Sequence, residues 1–452
     1  MSKTLTTGTP WRVIVVFAIP LLIGNVVQQL YQVVDAMVVG QNLGVNPLAA
    51  VGTTGAILFL LMGFAWGMTT GFAIPTAQAF GAGNFVALRR SIASGTALTA
   101  IASLLVTVLG VTFSRPLLQL LQTPESLLND ATTFAVVSFW GTTATMFFNY
   151  LSAIIRAIGD SRTPLIFLVI SCAVNVALVI LMVKYLHLGI AGAAGATIIA
   201  QACSVALCLI YVRRAIPVLH MRRNDWRINW QGLSLHLRLG LPMGFQASII
   251  AIGTLAVQIR LNLLGEEAVA AYTTATRVDG LANAFLASLG LAASTFVAQN
   301  YGAGLYERVR VGTRQCAVVA SIVAVTVAVL LISCGDYIIH AFVGRGNSEV
   351  VSMAHYFLVV NGLFYIVLGI LFVTRGALQG LGRVLVPTLT GVLELVLRVA
   401  AATILGGTFG FAGVTWANPL AWVAAVCLLI PAWLVARRHL NESSVRLASV
   451  RS

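Results

Sequence analysis

From Arg12 to Arg89 the chain carries one acidic or basic side chain, Asp35, in a run otherwise rich in Leu, Val, Ile, Gly and Ala. A run so long and so apolar has no place in the core of a soluble domain. About 20 such residues cross the hydrocarbon of a bilayer, and stretches of that length recur to the end of the sequence. Across 452 residues, 59% are hydrophobic and only 9% charged. A soluble chain of this length needs far more charge to cover its surface. In lipid the backbone must satisfy its own hydrogen bonds, which makes each stretch a helix. The expected fold is an all-α polytopic membrane protein.

Charged loops and Gly/Pro punctuation divide the chain into twelve transmembrane helices, over roughly 13–40, 49–80, 92–114, 131–155, 163–186, 189–212, 237–263, 267–300, 313–343, 350–374, 384–405 and 409–436. Twelve crossings put both termini and the central loop on one side. That side collects Arg89, Arg90, Arg156, Arg162, Arg213, Arg214, Arg222, Arg223, Arg227, Arg308, Arg310, Arg314, Arg375, Arg383, Arg437 and Arg438. The other loops hold only Arg115, Lys184 and Arg345 against six acids. Basic loops mark the cytoplasmic face, so cytoplasmic termini and an inner (cell) membrane location are expected. The net charge of +14 is thus a topology signal rather than a nucleic-acid footprint. Six cysteines lie in or beside spans without CxxC spacing, so neither a zinc site nor a disulfide framework is indicated. The polar start "MSKTLTTGTPW" enters a span too long for a signal peptide, and no cleavage is expected.

The sequence also repeats itself. "AQAFGAGN" at 77–84 returns as "AQNYGAGL" at 298–305, and "LGVNPLAA" at 43–50 as "LGEEAVAA" at 264–271. "GIAGAAGAT" at 189–197 is echoed by "GFAGVTWAN" at 410–418, and Gly159 and Pro164 by Gly382 and Pro387. Matches at nearly one offset imply two pseudo-symmetric six-helix lobes in parallel topology. The expected limits are an N-lobe at 1–212, a basic linker at 213–236 and a C-lobe at 237–452. Two such bundles can enclose a cleft that opens to either face by rocking, the design of a secondary transporter. The paired glycine motifs read as structural, since small residues let helices approach closely.

Taken together, "IPLLIGNVVQQLYQVVDAMVVGQNLGVNPLAAVG" at 19–52, the duplicated "AQxxGAG", "AIGDSRTP" at 157–164 and "GIAGAAGAT" resemble the multidrug and toxic compound extrusion (MATE) family, in its DinF-like branch. The resemblance covers essentially the whole chain. It implies a MATE-like antiporter that expels bulky, often cationic or aromatic drug-like compounds in exchange for protons or sodium ions. It also groups the aspartate matching Asp35 with an asparagine, a second aspartate and a threonine. Here Asn175 and Thr197 match the asparagine and threonine, whereas Val179 stands where the second acid belongs. One carboxylate, one amide and one hydroxyl make a poorer sodium cage, so proton coupling is favoured. Gln246, where some members carry a glutamate, points the same way.

The residues themselves lead to the same place. A carboxylate in the bilayer interior costs about 2.5–3.5 kcal/mol on insertion scales, and the spans of the first half hold no partner for Asp35. Such an acid must be neutral, solvated or cation-bound, and each state can be switched. Fifteen residues before it, about 22 Å along the helix, Pro20 removes one backbone bond and supplies a hinge. The second half has Arg260, Arg277, Asp279, Glu394 and Arg398 within its spans. Glu394 and Arg398 are spaced for an ion pair on one helix. Arg277 and Asp279 point to different faces, so at least one should meet another span, with Arg260 or Glu394 as candidates.

No HExxH, GxSxG or paired-aspartate motif marks an intramembrane enzyme, and no polar filter loop marks a channel. A lipid-linked oligosaccharide flippase of the same superfamily is the remaining rival. No cofactor or metal is expected, only the proton gradient with sodium as the alternative. The expected partners are the lipid bilayer and small drug-like molecules, with no nucleic acid, and the chain is expected to act as a monomer.

Overall fold

The computed structural model describes residues 4–121, 123–343 and 348–451, leaving Arg345 outside. No strand occurs among the described residues. The helices are α1 (Pro10–Leu43), α2 (Val45–Gly81), α3 (Phe85–Leu120), α4 (Glu125–Trp140), α5 (Thr142–Ala157), α6 (Arg162–Val179), α7 (Gly189–Ala215), α8 (Trp230–Asn262), α9 (Glu266–Gly302), α10 (Tyr306–Val343), α11 (Ser348–Leu363), α12 (Tyr365–Gly380), α13 (Leu385–Phe409), α14 (Phe411–Thr415) and α15 (Ala417–Arg451).

Ten helices are long and apolar enough to cross a bilayer alone, and α11 with α12 makes an eleventh span bent by 52°. The remaining pair, α4 and α5, meets at Gly141 and covers the span expected over 131–155. Gly141 is closely packed there, since a Cβ on it would lie 2.4 Å from Cγ1 of Ile198 on α7. The molecule is therefore a twelve-helix, multi-pass membrane protein.

The duplication reaches the backbone. Gly44 and Gly265, Gly83 and Gly304, Gly159 and Gly382, and Gly189 and Gly410 all take positive φ. Each pair occupies matching places in the repeat. Only glycine adopts that conformation without strain, so the repeated sequence and the repeated turns have one cause.

Contacts divide the described residues into two compact units, one within 23–248 and the other made of residues 4–22 with those from 249 onward. The expected lobe limits at 212 and 237 differ from this division, which cuts through α1 just past Pro20 and through α8 after Ser248. Long-range bonds explain both cuts. In the second unit, Leu5 N donates to Gln299 Oε1 at 2.9 Å, Trp11 N to Gln315 Oε1 at 3.1 Å, and Arg308 Nη1 to Gly8 O at 2.7 Å. In the first unit, His236 on α8 meets Ser91 Oγ at 2.9 Å, and Ser248 Oγ donates to Leu60 O at 3.2 Å. Gln299, from the second "AQxxGAG" motif, thus serves structure by tying down the N-terminal segment.

Candidate functional site

In the first unit, Tyr31, Asp35 and Val39 stand at successive helical turns and share one face of α1. The turns on either side of Asp35 are anchored. Tyr31 Oη meets Thr197 Oγ1 on α7 at 2.9 Å. Val39 is buried in a cluster with Val179, Val183, Ala193 and Ala196. Asn175 on α6 donates from Nδ2 to the same Thr197 Oγ1 at 3.1 Å. Tyr31, Thr197 and Asn175 therefore form one polar chain across three helices.

Asp35 is bracketed by these contacts but joined to none of them. Its Oδ1 is sealed from solvent and has no hydrogen-bond partner among the described residues, and Asn175 Oδ1 is in the same condition. Buried polar atoms are normally paired, and exceptions call for an explanation. Two enclosed acceptors without donors can take a proton, a cation or a donor group carried by a ligand. The structure brings together Asn175 and Thr197, adds Tyr31, and places no hydrogen bond between Asp35 and any of them.

Val179 closes the last turn of α6 and is fully buried among apolar side chains. Beyond it the chain widens into a π-turn over Ile180–Tyr185, a distortion frequent at functional sites. Because Val179 packs with Val39, an acid at 179 would lie one helical turn from Asp35. Val179→Asp is accordingly expected to give the site measurable affinity for sodium ions. A variant that binds no more sodium than wild type would count against this account of the departure.

The second unit treats its acids differently. Asp279 accepts from Tyr365 Oη at 2.6 Å and from Asn283 Nδ2 at 2.7 Å. Tyr365 is the first residue of α12, directly after the 52° bend, so this bond pins the bent span to α9. Glu394 pairs closely with Arg375 Nη2 and more loosely with Arg398 Nη2, at 3.7 Å. Arg375 also reaches Thr390 Oγ1 at 3.4 Å.

Several expectations change here. Arg375, assigned from sequence to a cytoplasmic loop, is buried within α12 because Glu394 of the following helix neutralises it. Asp279 meets another span, but its partner is Tyr365 rather than Arg260 or Glu394. Arg277 is exposed and makes no ion pair among the described residues. Arg260 also makes none, and its Nε is buried without a partner. Gln246 packs with the first unit, not the second.

A duplicated helical bundle with one enclosed, unpaired carboxylate has the build of a secondary membrane transporter. The chain belongs to the MatE family, whose profile matches it twice, over residues 20–181 and 242–404. It is a multi-pass membrane transporter and not an enzyme. The probable multidrug resistance protein YoeA of Bacillus subtilis (strain 168) is 28% identical over 85% of this chain and 84% of its own. YpnP, a probable multidrug resistance protein of the same organism, is 26% identical over 93% of this chain and 94% of its own. A crystal structure of MATE in the bent conformation superposes with a TM-score of 0.90 at 21% identity, covering 97% of this chain and 98% of that one.

Proposed function

We propose that this transporter exports bulky, often cationic or aromatic compounds in exchange for protons, with Asp35 as the coupling group. The observation that carries the reading is the enclosed Oδ1 of Asp35, which no described donor satisfies. A charged Asp35 needs water, a cationic ligand or a donor, so it favours an open, wet pocket. A protonated Asp35 loses that need, and α1 can pack more closely. Proton and substrate then compete for one group. A ligand shifts the two shapes only by its differential affinity for them. Names of relatives as multidrug resistance proteins support the substrate class.

Proton coupling is preferred to sodium because Val179 puts an apolar side chain where a second carboxylate would help hold the cation. Tyr31, Thr197 and Asn175 orient the pocket. The cell (inner) membrane, cytoplasmic termini and a monomeric state complete the proposal, as does placement in the DinF-like branch.

Pro20 is the hinge in this reading. It lies within an unbroken helix, just before packing passes from the second unit to the first. Pro20→Ala supplies the missing amide donor and is expected to slow turnover more than it weakens substrate binding. Full-speed transport by that variant would remove the hinge from the mechanism.

The coupling ion is tested in vesicles loaded with a fluorescent cation such as ethidium, with pH and sodium gradients imposed separately. The expected result is efflux driven by the pH gradient alone. Efflux that needs sodium when the pH gradient is collapsed would overturn proton coupling.

A further inference from the structure

The segment that joins α7 to α8 turns its one acid inward and its bases outward. Asp225 is the only acidic residue between Asp160 and Glu266. It is buried, bridged to Arg89 Nε of α3 at 3.0 Å, and it also accepts from Arg222 N at 2.8 Å. Ile216 and Leu219 fix the start of the segment, buried in a cluster with Leu88 and Ile92 of α3. Arg222, Arg223 and Arg227 are exposed, and their side chains make no ion pair among the described residues. The segment is thus held against α3 while its positive charge is left unmatched.

Its depth can be read from α3. Arg89 holds Asp225, and the first turn of α8 reaches Ser94, since a Cβ on Gly232 would lie 2.9 Å from Ser94 Oγ. Arg89 and Ser94 are about 7.5 Å apart along the helix and straddle residue 92, where the apolar span is expected to begin. The chain from 225 to 232 therefore runs along the level at which α3 enters hydrocarbon. Trp226 and Trp230 belong to that level and are 48% and 75% exposed. Arg223 and Trp226 open and close one 3-10 turn, in which side chains three apart line up on one side. Indoles sit well at the headgroup level of a bilayer, with their apolar rings toward the lipid.

We propose that residues 222–230 form a docking surface for anionic phospholipid such as phosphatidylglycerol. Arg223 and Arg227 hold the headgroup phosphates, and Trp226 and Trp230 lie among the glycerol and upper acyl carbons. A guanidinium presents its donors in a planar fork that matches phosphate oxygens. Basic clusters beside a transmembrane helix attract anionic lipid, by roughly fivefold for each charge near the surface. The two indoles favour lipid over a soluble acidic partner, because at this depth their open faces already meet the bilayer. The inference goes beyond the export reading and does not depend on it.

Lipid retention tests it without a gradient or a transported substrate. The purified full chain in neutral maltoside detergent is given equal amounts of phosphatidylglycerol and phosphatidylcholine with the same acyl chains. The lipids it keeps are counted by native mass spectrometry. Wild type is expected to prefer phosphatidylglycerol by roughly tenfold or more. Arg223→Gln/Arg227→Gln removes two exposed charges that pair with no described residue, so the fold should persist while most of the preference goes. Arg437→Gln/Arg438→Gln removes the same charge from α15 and should leave the preference intact. Equal retention of both lipids by wild type, or equal loss in the two double variants, would overturn the surface. Displacement of the lipid by inorganic phosphate or by polyglutamate would put a free anion or a soluble acidic partner there instead, and would likewise overturn it. In vesicles carrying a spin label on the phosphatidylcholine headgroup, a larger fraction of tryptophan emission should be quenched in wild type than in Trp226→Ala/Trp230→Ala. Equal fractional quenching would place the two indoles away from the headgroups and contradict the proposal.

Discussion

Asp35→Asn is expected to reach the membrane in normal amount and to move substrate no faster than the leak of empty vesicles. The side chain keeps its size, so steric packing at the position is undisturbed. What disappears is the ability to exchange a proton or hold a cation. Because Asp35 makes no hydrogen bond or ion pair among the described residues, the substitution should not destabilise the fold. Unfolding in detergent should therefore occur at the same temperature as wild type or above it. Gradient-driven efflux by the purified variant at the wild-type rate would remove Asp35 from the mechanism.

Glu394→Gln should do the reverse. Glu394 is 3% exposed and, among the described residues, is the acid paired with both Arg375 and Arg398. Without its charge two buried guanidiniums lose the acid they pair with. Breaking a buried pair in this way costs about 3–5 kcal/mol. A clear fall in the unfolding midpoint is expected, with partial recovery in the Glu394→Gln/Arg375→Met double variant, which removes one of the stranded charges. A single variant as stable as wild type would show that the network is not structural. One acid is left unsatisfied and is expected to work; the other is satisfied and is expected to hold.

What the sequence disclosed and what it hid follow from the range of the interactions. The spans and the duplication are local or periodic properties, and they are legible in "AQAFGAGN" and its return. The Asp35 pocket was half legible. Asn175 and Thr197 came through resemblance, whereas Tyr31 sits one turn before Asp35, and that spacing alone marks a shared face. Its bond to Thr197, across 166 residues, has no local trace.

Arg375 was set just outside a span expected to end at 374, whereas α12 runs on to Gly380. Only Glu394 arriving from the next helix makes its burial tolerable. The compact units divide at places other than 212 and 237 for the same reason. Residues 4–22 belong with the second unit through bonds to Gln299, Asn300 and Arg308, some 300 positions away in sequence. The need for glycine at 141 comes from Ile198 of another helix. Side-chain partners drawn from distant segments decided each of these points.

The competition of proton and substrate at Asp35 can be measured without transport. Purified protein in weakly buffered detergent is mixed with a saturating cationic substrate such as ethidium, and the pH change is read with an indicator dye. Linkage requires that binding to a protonated Asp35 release about one proton per substrate bound, with the yield falling at high pH, where the proton is already gone. Asp35→Asn should release none. Substrate binding that frees no proton from wild type at any pH, or equal release from wild type and Asp35→Asn, would contradict the coupling role assigned to Asp35.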